Sequence, residues 1–470
     1  MRIKYLAAAF ALFALSFGVT ARAVAAAQPE ALARAAVSAH AAESGQAIAA
    51  LRAMGPEGLQ TLLTVYAAEI KQHLANSADA PASAKDKEAW QRLSAALDAV
   101  AQQYDSATAG LYWYTDLDQA GEAARKSGKP ILSLRLLGNL NEEFSCANSR
   151  FFRTVLYANS EVSSWLRENF ILHWKSVRPV PRVTVDYGDG RKLERTLTGN
   201  SIHYILDSQG RVIDALPGLY GPQAFLSQLH EAASVIRRTS GMTNDDRAEN
   251  LRRYHQARIA AITQAWKADV ESVGAKLPEE MKSDNQADGQ TPSARRAARL
   301  AMSKAITETS IINSITYEAQ LLAEATDNET WNKIAARHAG DAKLDGASLA
   351  LMRRQSSSTN DAPQGVKASA ASASRADSAS NADSASRAEV FAQLVSNFER
   401  YVALDTVRNE YLMHTKLHAW LSMGMYSDNL DDLNQKVYSE LFLTPGSDPW
   451  LGLYSPDTYT ALEGGGVKSN

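Results

Sequence analysis

The chain has 470 residues, 45% hydrophobic and 21% charged, the balance of an ordinary globular protein and more length than one compact core usually takes up. A net charge of -3 at pH 7 gives no field to hold nucleic acid or an anionic membrane, and no basic stripe interleaved with aromatics is present, so no nucleic-acid partner is expected. With a single cysteine the chain can form no internal disulfide, and its stability must rest on packing.

Arg2 and Lys4 precede an uncharged apolar run from Leu6 to Val19, and A-x-A spacings follow at Ala23-Val24-Ala25 and Ala25-Ala26-Ala27. This is the layout of a secretory signal peptide covering residues 1–27. The run is short for a spanning helix, and no cysteine stands where a lipid anchor would need one. The mature chain is expected to be periplasmic or secreted, with no membrane span after signal cleavage.

Residues 28–105 read as a helical region. Ile48, Leu51 and Met54, then Leu59, Leu62, Leu63 and Tyr66, fall at helical spacing, and Gly55-Pro56-Glu57-Gly58 breaks the run into a pair. From 106 to 238 the pattern alternates. Helical stretches at Asp116–Lys126, Phe151–Ala158 and Ser160–Asn169 are interleaved with apolar strands at Pro130–Leu136 and Phe170–Trp174. Gly188-Asp189-Gly190 and Asp207-Ser208-Gln209-Gly210 each sit between two short strand patterns, as hairpin turns do. Gly221-Pro222 then opens a helix through Phe225, Leu229 and Ile236. This order implies an α/β sheet layered with helices. Residues 239–354 are helical in pattern. Residues 355–388 lack aromatics and carry a tandem hexapeptide from Ala376, so they read as a disordered linker. Residues 389–470 read as a helical C-terminal segment.

The segment from Trp113 to Phe225 resembles the thioredoxin superfamily, closest to a secreted branch that opens with an aromatic, an aspartate-led helix and Lys-Pro before the first central strand. Here these are Trp113, Asp116-Leu117 and Lys129-Pro130. The resemblance implies a thioredoxin-like central domain between helical N-terminal and C-terminal regions. It also places Cys146-Ala147-Asn148-Ser149 where the family carries two cysteines, with Ser149 at the second, so that Cys146 and Ser149 would be the catalytic pair. Asn200, Ser201 and Ile202 would line the substrate groove, with Ser201 standing where the family has a cis-proline. A dithiol cycle within one chain is therefore ruled out.

Physical chemistry gives Cys146 a second reading. A sulfur at the first turn of a helix faces unpaired N–H groups, which favour thiolate, and Ser149 one turn on can donate to it, while Glu142 and Glu143 oppose the charge. The bland alternative is a small buried apolar residue. Two functions from different classes are open. One is a monothiol thiol–disulfide oxidoreductase that forms mixed disulfides with a protein or small-molecule thiol. The other is a redox-inactive scaffold that binds a protein partner through its helical regions. No cofactor is expected. Glu410, His414 and His418 lie on one helical stripe, but with no third histidine or cysteine nearby no metal is expected either. Ser201 with His203 gives a weak hydrolase pattern, and Lys175, Arg178 and Arg182 could form an anion patch.

The A-x-A sites make a definite prediction. Intact-mass measurement of the protein from its native host should give a chain beginning just after Ala25 or Ala27, and a mass that includes Met1 would contradict export with cleavage.

Overall fold

The structure is a computed structural model that describes residues 28–75, 83–197, 199–277, 317–357, 379–424 and 429–448. The stretch read as a signal peptide lies outside the described residues, as does most of the stretch read as a linker.

The N-terminal helices are α1 (Pro29–Ala36), α2 (Ala41–Ala53), α3 (Pro56–Val65), α4 (Ala67–Ala75), α5 (Ala84–Ala101) and the short α6 (Ser106–Ala109). Local chemistry starts them. Pro29 and Pro56 occupy first-turn positions where a missing N–H costs nothing, and the Ser83 hydroxyl accepts from Asp86 N at 3.1 Å to cap α5. Leu51, Leu59, Leu62, Leu93, Leu97 and Val100 bury one face of each helix in a core of their own. Arg52 fastens this helical unit to the first strand of the sheet, donating to the carbonyls of Val100 and Trp113 while its own carbonyl accepts from the Tyr112 hydroxyl.

A mixed five-stranded sheet comes next. Its strands are β1 (Trp113–Tyr114), β2 (Ile131–Leu137), β3 (Ile171–Arg178), β6 (Ser201–Leu206) and β7 (Val212–Pro217), in the spatial order β1-β3-β2-β6-β7. β1, β3 and β2 run parallel, β6 is antiparallel to β2, and β7 is antiparallel to β6. Helix α7 (Leu117–Ser127), capped by Asp116 at 2.9 Å, joins β1 to β2. The parallel step from β2 to β3 needs a crossover, supplied by α8 (Ala147–Val155) and α9 (Ser160–Asn169). β2 is buried along its whole length, and register alternation divides its side chains. Ser133 opposes His173 and Tyr204 on one face, and Leu134 opposes Trp174 and His203 on the other. A separate exposed hairpin, β4 (Arg182–Asp186) with β5 (Lys192–Thr196), turns at Gly188 and Gly190, both at positive φ.

After the sheet, α10 (Pro222–Thr239) and the long α11 (Asn244–Ser272) lead into α12 (Tyr317–Ala325), α13 (Asn328–Arg337), a 3-10 turn (Ala339–Ala342) and α14 (Gly346–Ser357). Helix α15 (Ala379–Arg408) begins inside the stretch read as a linker, whose last ten positions are therefore helical. It continues without a break as a π-helical turn (Asn409–His414) into α16 (Thr415–Ser422). Last come α17 (Leu430–Lys436) and a second π-helical turn (Val437–Leu441). Sheet and C-terminal helices share one core, in which Trp113, Leu134 and Tyr204 are continuous with Trp266, Val402 and Leu433.

The turn from β7 to α10 shows how closely the two parts meet. Gly221 N donates to Thr406 Oγ1 at 2.8 Å, and Asn409 Nδ2 donates to Leu219 O at 2.8 Å. A Cβ added at Gly221 would lie 2.2 Å from the backbone oxygen of Asp341, so this glycine is required by close approach. Gly221→Ala should lower the unfolding free energy by about 1–3 kcal/mol in denaturant titration, as overpacking does. Gly45→Ala, in α2 with open space around it, should raise it by about 0.5–1 kcal/mol. Equal effects would mean the 218–221 turn is not a packed interface.

Candidate functional site

Cys146 caps the N-terminus of α8, and its N–H donates to Leu137 O at 3.0 Å, which ties the helix start to the end of β2. The expected access is absent: Cys146 is 0% exposed and belongs to the main core. The expected donor direction is also reversed. The Ser149 hydroxyl donates to Cys146 O at 2.9 Å and accepts from the thiol at 3.4 Å.

Asn200, Ser201 and Ile202 lie beside the start of α8. Gly199 approaches Asn148 so closely that a Cβ there would lie 2.6 Å from Asn148 Oδ1, which sets the segment Asn200, Ser201 and Ile202 against the first turn of α8. Among the described residues there is no cis peptide bond, Ser201 and Ile202 are 0% exposed, and the Ser201 hydroxyl has no hydrogen-bond partner. The chain's own C-terminal segment fills the groove. The Tyr438 hydroxyl donates to Asn200 O at 3.2 Å, and Asn200 Nδ2 donates to Thr444 Oγ1 at 3.1 Å. Burial, together with the neighbouring Cys146 sulfur, pushes the Tyr438 phenol well above its ordinary pKa. On the sheet face below, Tyr204 donates to Asn434 at 3.3 Å and Arg135 meets Asp431 at 3.5 Å.

Two of the three cations of the expected anion patch hold this same segment. Arg178 donates to the carbonyls of Thr444, Pro445 and Asp448 at 2.7, 3.1 and 3.4 Å, and Lys175 lies 3.5 Å from Asp431. Arg182 sits over the Phe144 ring and pairs with Glu194. The hydrolase pattern also dissolves, because His203 Nε2 lies 2.7 Å from the Tyr157 hydroxyl rather than serving Ser201.

A second concentration of chemistry is only half visible in the sequence. Glu410, His414 and His418 do share a stripe, and the π-helical turn at Asn409–His414 brings it against β7 and α11. The absence of a third histidine does not hold in three dimensions. His255 of α11 and Asp214 of β7 complete a cluster with His418, all three buried, their ligand-type atoms within 4.8 Å of one another. His255 Nδ1 and His418 Nδ1 are 2.9 Å apart, and Asp214 Oδ1 is 3.8 Å from His418 Nδ1. Around them, Asp214 accepts from the Tyr254 hydroxyl at 2.5 Å and from its neighbour Ala215 N at 2.8 Å. His414 bridges Asp214 at 3.2 Å and Glu410 at 2.8 Å, and Glu410 in turn accepts from Arg258 at 2.9 Å. The sequence signal for Asp214 is a lone carboxylate inside an apolar strand. Nothing local marks His255.

Electrostatics sorts these groups. Burial works against a charge on His414, but Glu410 and Asp214 outweigh it and raise its pKa to about 9. Burial alone would also raise Asp214, yet His418 and His414 hold it below the carboxylate range. Burial lowers His255 to about 4, and burial with the charge on His414 drives His418 far down. His414, between two carboxylates, is thus held toward its charged form, and His255 and His418 toward their neutral forms.

Two other histidines give a pH prediction. Burial lowers both His173 and His203 to about 3, against 6.5 when free. Below pH 6.5 the unfolded chain binds protons that the native state refuses, so their stability contribution is intact above 6.5 and is lost as pH falls toward 3. Asp98 and Asp405, each raised to about 6 by burial, oppose this with one proton apiece between their free value and 6, while His255, lowered to about 4 chiefly by burial, adds to the fall. Denaturation at stepped pH should show stability falling below pH 6.5. His203→Gln should flatten that limb by about 1.4 kcal/mol per pH unit; an unchanged slope would show that His203 is protonated in the fold.

No family model, curated protein or solved structure matches the chain, so its function must be argued from this geometry.

Proposed function

We propose that the chain is an exported, thioredoxin-like scaffold whose sheet domain performs no thiol chemistry and whose helical regions receive a protein partner. The fold assignment is supported by the strand order β1-β3-β2-β6-β7 and its directions, with a helix entering at Cys146 opposite the Asn200–Ile202 segment. The observation that carries the functional reading is the complete burial of Cys146. Thiol exchange needs a thiolate with access to a partner sulfur. This thiol is enclosed and directed at Ser149, and Tyr438 takes up the Asn200 carbonyl, a backbone position that a substrate would need.

Helix α15 supports the partner-binding half. Val390, Leu394 and Tyr401 are 66%, 41% and 59% exposed and stand four and seven residues apart, which places them on one side of the helix. Phe391, Val395 and Phe398, about a quarter turn further round the helix, pack against the core. The apolar stripe is therefore wider than the packed face, and its uncovered edge is a surface available for contact.

A maleimide reagent tests the reading on the full mature chain. Cys146 should stay unlabelled at neutral pH over hours in which the denatured chain labels fully. Rapid stoichiometric labelling of the native protein would return the monothiol reading, with Cys146 as attacking group.

A further inference from the structure

The cluster joining the sheet to the C-terminal helices contains more than is needed to satisfy one buried carboxylate. The Tyr254 hydroxyl, Ala215 N and His414 Nε2 already lie within 3.2 Å of its oxygens. Two further imidazoles, from helices 163 residues apart in sequence, nevertheless point their Nδ1 atoms at each other at 2.9 Å beside the same carboxylate. A purely hydrogen-bonded pair would use one N–H there, and it leaves His418 Nε2 buried with no partner among the described residues.

We propose that Asp214, His255 and His418 form a binding site for one divalent transition cation, with Zn2+ the best match. Zinc–nitrogen bonds of about 2.0–2.1 Å at tetrahedral angles put ligand atoms about 3.3 Å apart. The separations of 2.9 Å between the imidazole nitrogens and 3.8 Å from His418 to Asp214 bracket that value. All three ligand-type atoms lie within 4.8 Å of one another, within reach of one ion. Two nitrogens and a carboxylate oxygen suit a borderline cation, whereas calcium or magnesium would require an oxygen shell.

The surroundings have the form of an outer shell. The Tyr254 hydroxyl and the Ala215 N–H orient Asp214, and His414 links it to Glu410 and Arg258. Such groups fix the ligands' orientation and are a regular part of metal sites. The π-helical turn supports the same reading independently. Its extra residue per turn sets the register between Glu410 and His418, and single π turns occur most often where a helix builds a site. An ion here would clamp the edge strand β7 to α11 and α16, and it would act apart from Cys146. The proposal does not depend on the scaffold reading.

Cobalt is the probe. The full mature chain is expressed in medium supplemented with Co2+, purified by gel filtration without added metal, and examined by elemental analysis and X-ray absorption. The expected result is close to one cobalt per chain, in a shell of nitrogen and oxygen that includes imidazole and no sulfur. His418→Gln should lower retained cobalt at least about 10-fold, while Cys146→Ser should leave it unchanged. If His418→Gln does not fold, the imidazole signature of the wild-type spectrum decides alone. Retention below a tenth of an equivalent, a sulfur-containing shell, or undiminished cobalt in a folded His418→Gln variant would overturn the site and leave a hydrogen-bonded network.

Discussion

A carboxylate buried in the edge strand of a sheet is the constraint on which this structure turns. Asp214 is 1% exposed, and an unpaired charge so deep would cost several kcal/mol. It can exist only if cationic or donor groups arrive from elsewhere in the chain. They come from α11, through Tyr254 and His255, and from the helix that follows α15, through His414 and His418. The C-terminal helices are therefore bound to the sheet by more than apolar contact. Breaking the register of the π-helical turn would leave Asp214 without its counter-ion. β7 would also be left as an exposed sheet edge, which folded proteins avoid.

That docking accounts for the state of the thiol. Once α15 and the helix after it are fixed against β7 and the 218–221 turn, α17 lies over the sheet face carrying Arg135 and Tyr204. Its following turn then places Tyr438 over Asn200. Arg178 completes the closure by holding the carbonyls of Thr444, Pro445 and Asp448. The Asn200 end of β6 is covered by the chain itself, and Cys146 is a core residue. The same segment engages Lys175, so two of the three cations that read in sequence as an anion patch, Lys175 and Arg178, belong to an interface within the chain.

Local signals in the sequence locate most of the elements. The turns at Gly188 and Gly210, the break at Gly55-Pro56, the helix opened by Gly221-Pro222, and the strand patterns either side of Asp207–Gly210 all correspond to elements of the structure. Asp116 and Asn159 are caps because a short acceptor side chain there reaches the orphan N–H groups of the next turn. What is not legible depends on distance along the chain. Tyr438 covers a site 238 residues earlier, and His255 meets His418 across 163 residues. Neither pairing leaves a local pattern. The stripe of Glu410, His414 and His418 is visible, but its partners are not. Nor is the burial that makes those residues consequential, because an i, i+4 stripe of polar residues looks the same on a solvated helix.

The central claim is that the Asp214–His414 pair holds sheet and helices together, and a double-mutant cycle tests it most directly. Unfolding free energies would be measured in chelator for the wild type, Asp214→Asn, His414→Gln and the double variant. The account predicts that each single change costs about 1–3 kcal/mol, since each removes one partner from a buried group whose others remain, Glu410 for His414 and Tyr254 for Asp214. It further predicts that the double variant loses less than the sum by more than about 1 kcal/mol. Single effects below about 1 kcal/mol that simply add would contradict it.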